Sequence, residues 1–341
     1  MNSNWLDTAN TGKERMNSFN MEREMMNSQL GVVTAMHCYL RKAPGSSNAE
    51  NGSGIEDEIF SGWAVRRLEE PDENGWVKIE THYGYEGYVN TSEFREIQKR
   101  ELEQRQSKEE FFRISIGEAD LLTIPKVQGL PLELLMKNAI VQLLEWEETT
   151  GWSRIRTAAG REGYVHTKYL SRRMDDDAYL LSTDMEELDR KQYFLSRIAD
   201  QFGQAGMEEE RSGMEEKLRV LVTESAKAYL ATQYRWGGKS SQGIDCSGLV
   251  FMSYMEHGIL IYRDGNILPD YPVHEIDRSQ IRQGDLLFFP GHVAMYLGDG
   301  KYIHSTAFDA SPCVRINSLR PEDEDYREDL DKKMTRCGSI F

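Results

Sequence analysis

The feature that most constrains the fold is an internal repeat. Residues 75–89 read GWVKIETHYGYEGYV and residues 151–165 read GWSRIRTAAGREGYV. Both copies begin with Gly-Trp, end with Glu-Gly-Tyr-Val and alternate apolar with polar residues before a glycine-containing turn. This pattern is typical of short antiparallel strands. We therefore expect two related modules, each a small β-barrel.

The repeat divides the chain into segments. We expect the first barrel over residues 30–96 and the second over residues 113–172, with a charged, proline-free helical linker over 97–112. The remaining expected segments are an N-terminal helical or partly ordered stretch, a helical and acidic linker that contains a glycine-bearing loop, and a C-terminal domain, at residues 1–29, 173–214 and 215–341.

Charge and cysteine content exclude several classes of function. The 57 acidic and 41 basic residues give a net charge of −16, which disfavours binding to nucleic acid or to an anionic membrane and favours a small neutral or zwitterionic substrate. The four cysteines are scattered and lack CxxC spacing, so we expect free thiols and no metal or other cofactor. The N-terminus has no signal pattern and the chain no long apolar run, and a cytoplasmic monomer is expected.

The chemistry of the C-terminal domain centres on GIDCSGLV, residues 243–250. Apolar residues at helical spacing after Cys246, with Gly258 as a stop, predict a helix that begins at this cysteine and is capped by Asp245. The dipole and free N–H groups of a helix start favour a thiolate. Because most free cysteines are inert and buried, the assignment depends on what partners the cysteine has.

Two histidines in later strands are candidate partners. His292 begins HVAMYLG and His304 lies in YIHST, and cysteine catalysis needs a base next to the sulfur and a third group that orients the base. A two-residue turn between these strands would place the histidines on opposite faces of the sheet. A three-residue loop or an equivalent bulge pairs Ala294 with His304 and places both histidines on one face of the sheet. We expect this second register.

Four ordered motifs then carry a resemblance to a known family. YRWGG, DCSG, GDLLFF and HVAMYLGDGKYIH, in that order, resemble motifs of the NlpC/P60 cysteine peptidases over about residues 215–341. The two repeats resemble bacterial SH3-like (SH3b) domains. The resemblance implies an α+β fold in which a papain-like domain, with helices packed on an antiparallel sheet, follows two small SH3-like β-barrels. It implies Cys246 as the nucleophile, His292 as the base and His304 as the orienting residue.

The same resemblance implies residues that contact the substrate. Tyr234 would help to stabilise the oxyanion, and Trp236, Asp245 and Ser247 would line the substrate site. Asp264 matches the aspartate of an Arg-Asp-Ser motif in the family, whereas Gly265 stands where a serine is common.

The first barrel is expected to close one end of the cleft with a tyrosine and a glutamate. Tyr85 is the match for the tyrosine, and Glu58, with Glu56 as its alternative, is the match for the glutamate.

Structural interpretations of these residues remain open. Asp245 serves equally well as a helix cap alone. For Tyr234 the active-site role is favoured, and packing under the helix is the alternative. Trp236 fits a core position and Asp264 a surface loop. The other cysteines, Cys38, Cys313 and Cys337, are expected to be small buried apolar residues.

The resemblance implies a γ-D-glutamyl-L-diamino acid endopeptidase of murein-peptide recycling. Its substrate would be an L-Ala-γ-D-Glu-diamino acid peptide with a free N-terminal L-Ala, whose protonated amine would pair with Asp245 and Asp264. Two alternatives stay open: a secreted hydrolase of intact peptidoglycan stem peptides, and a non-catalytic SH3b protein that binds the wall. Neither a nucleic acid nor a membrane is an expected partner.

Overall fold

The computed structural model describes residues 29–45, 54–181, 190–202, 208–307 and 312–341. The predicted N-terminal segment therefore lies outside the described residues, except for Gln29. No helix among the described residues is long and apolar enough to cross a membrane.

The first module, residues 30–97, is a seven-stranded antiparallel sheet with strand order β3-β2-β6-β5-β4-β1-β7. Its strands are β1 (Leu30–Val33), β2 (His37–Arg41), β3 (Ile55–Phe60), β4 (Ala64–Arg67), β5 (Trp76–Thr81), β6 (Glu86–Asn90) and β7 (Phe94–Ile97). In β5 the apolar residues Val77 and Ile79 are fully buried, as the alternation in the sequence predicts.

The second module, residues 111–172, repeats this topology. Its strands are β8 (Phe111–Ile114), β9 (Glu118–Leu122), β10 (Pro131–Met136), β11 (Ile140–Glu145), β12 (Trp152–Arg156), β13 (Glu162–His166) and β14 (Leu170–Arg172). Its strand order is β10-β9-β13-β12-β11-β8-β14, which results when seven is added to each strand number in the order of the first module. The repeat in the sequence is therefore a repeat in topology, with the Glu-Gly-Tyr-Val copies in β6 and β13.

Helices connect the modules, but their bounds differ from those expected. Helix α1 is only Lys99–Gln104, because Phe94 and Ile97 are buried in β7, which pairs with β1. After α2 (Ala178–Leu181) and α3 (Arg190–Phe202), helix α4 runs from Glu208 to Lys227. Helix α4 thus includes most of the acidic stretch that was expected to form a glycine-bearing loop. The Glu, Lys, Arg and Met residues there favour a helix enough to offset the cost of about 1 kcal/mol for Gly213.

The C-terminal domain packs helices on an antiparallel sheet. A short hairpin of β15 (Lys239–Ser240) and β16 (Gly243–Ile244) precedes helix α5 (Cys246–Met255). The sheet has the order β17-β22-β18-β19-β20-β21. Its strands and the helix α6 are β17 (His274–Ile276), β18 (Leu286–Phe289), β19 (His292–Gly298), β20 (Lys301–Thr306), β21 (Cys313–Ser318), α6 (Glu328–Asp331) and β22 (Arg336–Ser339). Every residue of α5 is buried, between α4 and the sheet.

One apolar core joins the first module to the C-terminal domain. Phe60, Trp63 and Tyr83 of the first module belong to the same buried cluster as Leu249 and Phe251 of α5. Most buried apolar residues of the second module form a separate core, but Phe111, Met136 and Ile140 belong to the shared cluster. The first module is therefore packed directly against the helix that begins at Cys246.

The register between β19 and β20 agrees with the expectation for the two histidines. Met295 pairs with Ile303 and Tyr296 with Tyr302, and a bulge then shifts the pairing so that Gly298 faces Lys301. The turn itself contains Asp299 and Gly300, both with positive φ. Because the bulge adds one residue to β19, Ala294 lies opposite His304, and the prediction of a bulge or its equivalent is confirmed.

Candidate active site

The start of α5 is held by short backbone contacts. Asp245 is extended, with φ −91° and ψ −179°, and its carboxylate accepts a hydrogen bond of 2.6 Å from the N–H of Gly248. A Cβ at Gly248 would lie 2.3 Å from the carbonyl oxygen of Gly238, so only glycine lets the helix start pack against the YRWGG segment. The prediction of Asp245 as the helix cap is confirmed.

Cys246 is 9 % exposed. Burial raises its pKa to about 12, and the negative charge of Asp245 acts in the same direction. Hydrogen bonding to the amides of Val293 and Ser247 lowers the pKa but does not compensate. The amide of Ser247 at the helix start thus favours the thiolate, as expected, but desolvation outweighs this contribution and the thiol stays protonated. A base must remove the proton.

His292, His304 and Asn317 form a hydrogen-bonded chain. Nε2 of His292 lies 2.8 Å from Nδ1 of His304, and Nε2 of His304 lies 3.0 Å from Oδ1 of Asn317. The Asn317 amide nitrogen donates to the carbonyl of Asp325, so its oxygen faces His304. His304 must then donate from Nε2 and accept at Nδ1, and His292 donates from Nε2. Nδ1 of His292 remains as the proton acceptor.

Both imidazoles are neutral near pH 7. Burial lowers the pKa of His292 to about 4. Burial, and then the charge of His292, lowers the pKa of His304 to about 3. The structure thus pairs a protonated thiol with a neutral imidazole system, and Val293, the neighbour of His292 in β19, is hydrogen-bonded to the sulfur.

Tyr234 is close enough to Cys246 for the two side chains to interact electrostatically. Its backbone forms a bridge with Ile244 and its N–H donates to the carbonyl of Pro312. Burial, followed by the charges of Cys246 and Asp245, raises the pKa of the Tyr234 phenol above its usual range. The hydroxyl therefore stays protonated and can donate a hydrogen bond near the sulfur.

Asp245 and Ser247, on either side of Cys246, are both bound by Arg263. Its Nη1 and Nη2 each lie 3.2 Å from one carboxylate oxygen of Asp245, and Nη1 donates to Oγ of Ser247 at 2.8 Å. The guanidinium is 1 % exposed. On its other edge, Nε donates at 2.6 Å to Asp57, which belongs to β3 of the first module.

Tyr85 reaches the C-terminal domain from the first module. Its hydroxyl lies 3.2 Å from both carboxylate oxygens of Asp264, and Tyr262 donates to the same carboxylate at 3.1 Å. Burial raises the pKa of Asp264, although Arg263 and the Tyr262 hydroxyl oppose this. Asp264 is thus a half-buried acceptor at the junction of the modules, and not a surface-loop residue.

Glu58 lies between the same two modules but apart from the Tyr85–Asp264 contact. It is 0 % exposed, and its carboxylate binds Nδ1 of His37 at 2.7 Å and the backbone N–H of Lys239 at 2.7 Å. The expected contact between Glu58 and the substrate is therefore wrong, because the side chain is enclosed between two modules. Glu56, the alternative, is half-buried, and its charge contributes to the raised pKa values of Tyr85 and Tyr262.

Trp236 is 63 % exposed, which excludes the core position. Its indole N–H donates at 2.9 Å to the carbonyl of Ile55, next to Glu56 in β3. The following residue, Gly237, has a φ of +71°, and a Cβ there would lie 2.4 Å from the side chain of Ile55. The indole thus forms an exposed apolar surface beside the first module. Gly265 lies next to Val293 and supplies no hydroxyl at the position where a serine is common in the family.

Four residues of the site were missed from the sequence: Arg263, Asp57, Lys239 and Asn317. Arg263 was visible in the motif that identified Asp264, and Asp57 lies beside the two glutamates that were considered. No motif or spacing in the sequence indicates that Lys239 belongs to the site. Asn317 lies on β21, where it pairs with Tyr302 and so shares a face with His304, a relation that only the register creates.

Comparison with known proteins agrees with this geometry. The profile of the NlpC/P60 family matches residues 231–322. "Dipeptidyl-peptidase 6" of Lysinibacillus sphaericus is 34% identical over 317 residues, which cover 91% of this chain and 99% of that protein. "Gamma-D-glutamyl-L-lysine dipeptidyl-peptidase" of Bacillus cereus is 39% identical over 95 residues, or 26% of this chain and 28% of that protein.

The fold as a whole also has a solved counterpart. The crystal structure of an NlpC/P60 family protein from Bacillus cereus covers 90% of this chain and 98% of its own, with a TM-score of 0.63 and 20% identity. The likeness extends over the β-modules as well as the C-terminal domain. With a relative matched along nearly its full length, a family profile across Cys246, His292 and His304, and this shared architecture, the chain belongs to the NlpC/P60 family of cysteine peptidases.

Proposed function

We propose that this protein hydrolyses the γ-D-glutamyl amide bond in L-Ala-γ-D-Glu-diamino acid peptides that have a free N-terminal L-Ala. The observation that carries the proposal is the contact of Tyr85 with Asp264, at 3.2 Å to each carboxylate oxygen. This contact supports a substrate cleft that the first module closes at one end. A cleft closed in this way favours a short peptide with a free end over a cross-linked polymer.

The proposed reaction begins with proton transfer from Cys246 to Nδ1 of His292. The sulfur attacks the γ-carbonyl carbon of D-Glu, and the hydroxyl of Tyr234 donates to the resulting oxyanion. His292 returns the proton to the amine of the diamino acid as the C–N bond breaks. Water, deprotonated by His292, then hydrolyses the thioester, and the proton passes back to the thiolate. His304 and Asn317 keep His292 in the required tautomer.

Recognition of the free amine is assigned to the acidic groups at the closed end. Asp264 accepts hydrogen bonds from Tyr85 and Tyr262 and has further acceptor capacity, and Glu56 lies close by. Asp245 is less available, because Arg263 and the amides of Gly237 and Gly248 occupy its carboxylate. We therefore propose Asp264 as the main partner of the ammonium group. We also propose that the protein acts in the cytoplasm, in the recycling of murein peptides.

The test is mass spectrometry of the products from L-Ala-γ-D-Glu-L-Lys, its diaminopimelate analogue and their N-acetylated forms. We expect L-Ala-D-Glu and the free diamino acid from the unmodified peptides. A charge-assisted hydrogen bond contributes about 1.5–3 kcal/mol, so acetylation should slow cleavage by about 10- to 100-fold.

The controls separate the alternatives. Asp264→Asn should lose most of the discrimination between free and acetylated peptide, whereas Asp270→Asn, at an exposed position in the same connecting segment, should retain it. Equal cleavage of both peptides by the unaltered protein contradicts the free-amine claim. Release of fragments from purified sacculi, without cleavage of the free peptides, would favour the hydrolase of intact stem peptides.

The acid limb of the pH profile follows from His292. It must be neutral to accept the thiol proton, and burial lowers its pKa to about 4. We expect kcat/KM to fall as the pH drops through about 4, roughly two units below the range of an ordinary histidine. Since burial raises the pKa of Asp264, the measurement is repeated in Asp264→Asn, which removes that carboxyl. A midpoint near pH 6.5 in this variant would contradict the assignment.

A further inference from the structure

Asp57 of the first module is a fully buried carboxylate with three donors. Its Oδ1 accepts from Nε of Arg263 at 2.6 Å, and its Oδ2 accepts from Nζ of Lys239 at 2.9 Å and from the hydroxyl of Tyr83. Lys239 also donates to Tyr83 at 2.8 Å, and its ammonium lies over the rings of Trp63 and Phe251. Two cations of the C-terminal domain thus converge on one anion of another module.

The same two cations belong to the segments that hold Asp245. Arg263 binds both oxygens of Asp245. Lys239 follows Gly237 by two residues, and Gly237 donates its N–H to Oδ2 of Asp245 at 2.8 Å. Because a guanidinium is planar, fixing Nε at Asp57 also fixes the directions of the two Nη groups. The position of Asp57 therefore determines how Asp245 and Ser247 are held.

We infer that Asp57 is a positioning residue of the peptidase site: through Arg263 and Lys239 it sets Asp245 and Ser247 on either side of Cys246. The inference rests on Cys246 as the proposed nucleophile. It makes the first module part of the apparatus that orients the nucleophile, in addition to a wall of the cleft. Asp57 itself touches none of the reacting groups.

The charges of this cluster balance. Asp57 and Asp245 supply two negative charges, Arg263 and Lys239 supply two positive charges, and all four side chains are at least nine-tenths buried. Burial opposes ionisation of Asp57, but Lys239 and Arg263 more than compensate and lower its pKa. Removal of Asp57 alone leaves an excess positive charge, whereas removal of Asp57 with Arg263 keeps the cluster neutral.

The experiment compares Asp57→Asn, Arg263→Met and the double variant Asp57→Asn/Arg263→Met in the full chain. We expect kcat/KM to fall at least about tenfold in each, as misplacement of the reacting groups requires. The thermal midpoint should fall in both single variants and largely recover in the double variant. Recovery of stability without recovery of activity is the signature of positioning, because a merely structural ion pair would restore both.

A charge-balanced control uses another contact between modules. Lys137 of the second module binds Glu256 of the C-terminal domain at 2.7 Å, away from Cys246. Lys137→Met/Glu256→Gln should keep kcat/KM within about twofold of the unaltered protein. Return of kcat/KM to this level in Asp57→Asn/Arg263→Met would overturn the inference.

Two further measurements keep the test decisive. If the double variant does not fold, Tyr83→Phe removes one donor from Asp57 and leaves every charge. We expect about a threefold loss of kcat/KM in this variant, and unchanged activity overturns the inference.

The second measurement is the rate of alkylation of Cys246 by iodoacetamide, which needs no peptide substrate. Since Arg263 lowers the pKa of the thiol, the double variant should react at least about threefold more slowly at pH 8, whereas loosening of the fold would speed the reaction. An unchanged or faster rate also overturns the inference, whatever the peptide assay shows.

Discussion

Cys246→Ala is expected to lower kcat for the L-Ala-γ-D-Glu-L-Lys tripeptide by at least about a thousandfold, because the proposed thioester intermediate forms on the sulfur of Cys246. The substitution removes one sulfur atom from a buried position at the first turn of α5. Alanine is a good helix former, and the cap at Asp245 does not involve the thiol. Loss of activity should therefore occur without loss of the fold, which circular dichroism and thermal unfolding would check.

Cys337→Ala is the matched control. Cys337 is also buried and lies in β22, where its sulfur contacts Met334 and not the histidine chain. This variant should keep most of the activity and lose a little stability from the small cavity. Activity within tenfold of the unaltered protein in Cys246→Ala would exclude the proposed nucleophile. Equal loss in both variants would indicate that the effect comes from packing.

Arg263→Met is expected to have the largest effect on stability. The guanidinium forms ion pairs with Asp57 and Asp245, and both carboxylates are buried. Removal of one partner from a buried ionic cluster leaves an uncompensated charge and costs about 3–5 kcal/mol. Methionine retains much of the length and the apolar contacts of the arginine, so the loss reports on charge and hydrogen bonds. Urea unfolding followed by tryptophan fluorescence measures it.

Arg278→Met provides the comparison at the surface. Arg278 pairs with Asp331 in a half-exposed position, where an ion pair contributes about 0–1 kcal/mol. The free energy of unfolding should therefore change by about 1 kcal/mol or less in this variant. A similarly small change in Arg263→Met would contradict the description of the buried cluster as an essential contact between the modules.

Much of the architecture was predictable, because it depends on patterns along the chain. Two copies of one strand pattern predict two sheets of one topology, and the sheets have the same strand order. The bounds of α1 and α4 were not predictable to this degree. Whether Phe94 and Ile97 continue a helix or form β7 depends on the pairing of β7 with β1, more than sixty residues earlier in the chain, and such pairing outweighs local propensity.

The features of the site also divide into those that the sequence predicts and those that packing decides. The spacing of His292 and His304 was sufficient to pose the question of the register, and a bulge in β19 answered it. The helix start that favours a thiolate is visible in the sequence, but the burial of the thiol, which raises its pKa more strongly, is not. Glu58 and Glu56 are two residues apart in one strand, and only packing decides which of them is enclosed.

The sequence by itself determined the family, the two β-modules and the candidates Cys246, His292 and His304, since motifs and alternation are local properties of the chain. Only the tertiary structure decided that Asn317 ends the histidine chain, that Tyr85 meets Asp264, and that Asp57 holds Arg263. These contacts join residues from different strands or modules. Their energies depend on distance and burial after folding, which no spacing along the chain encodes.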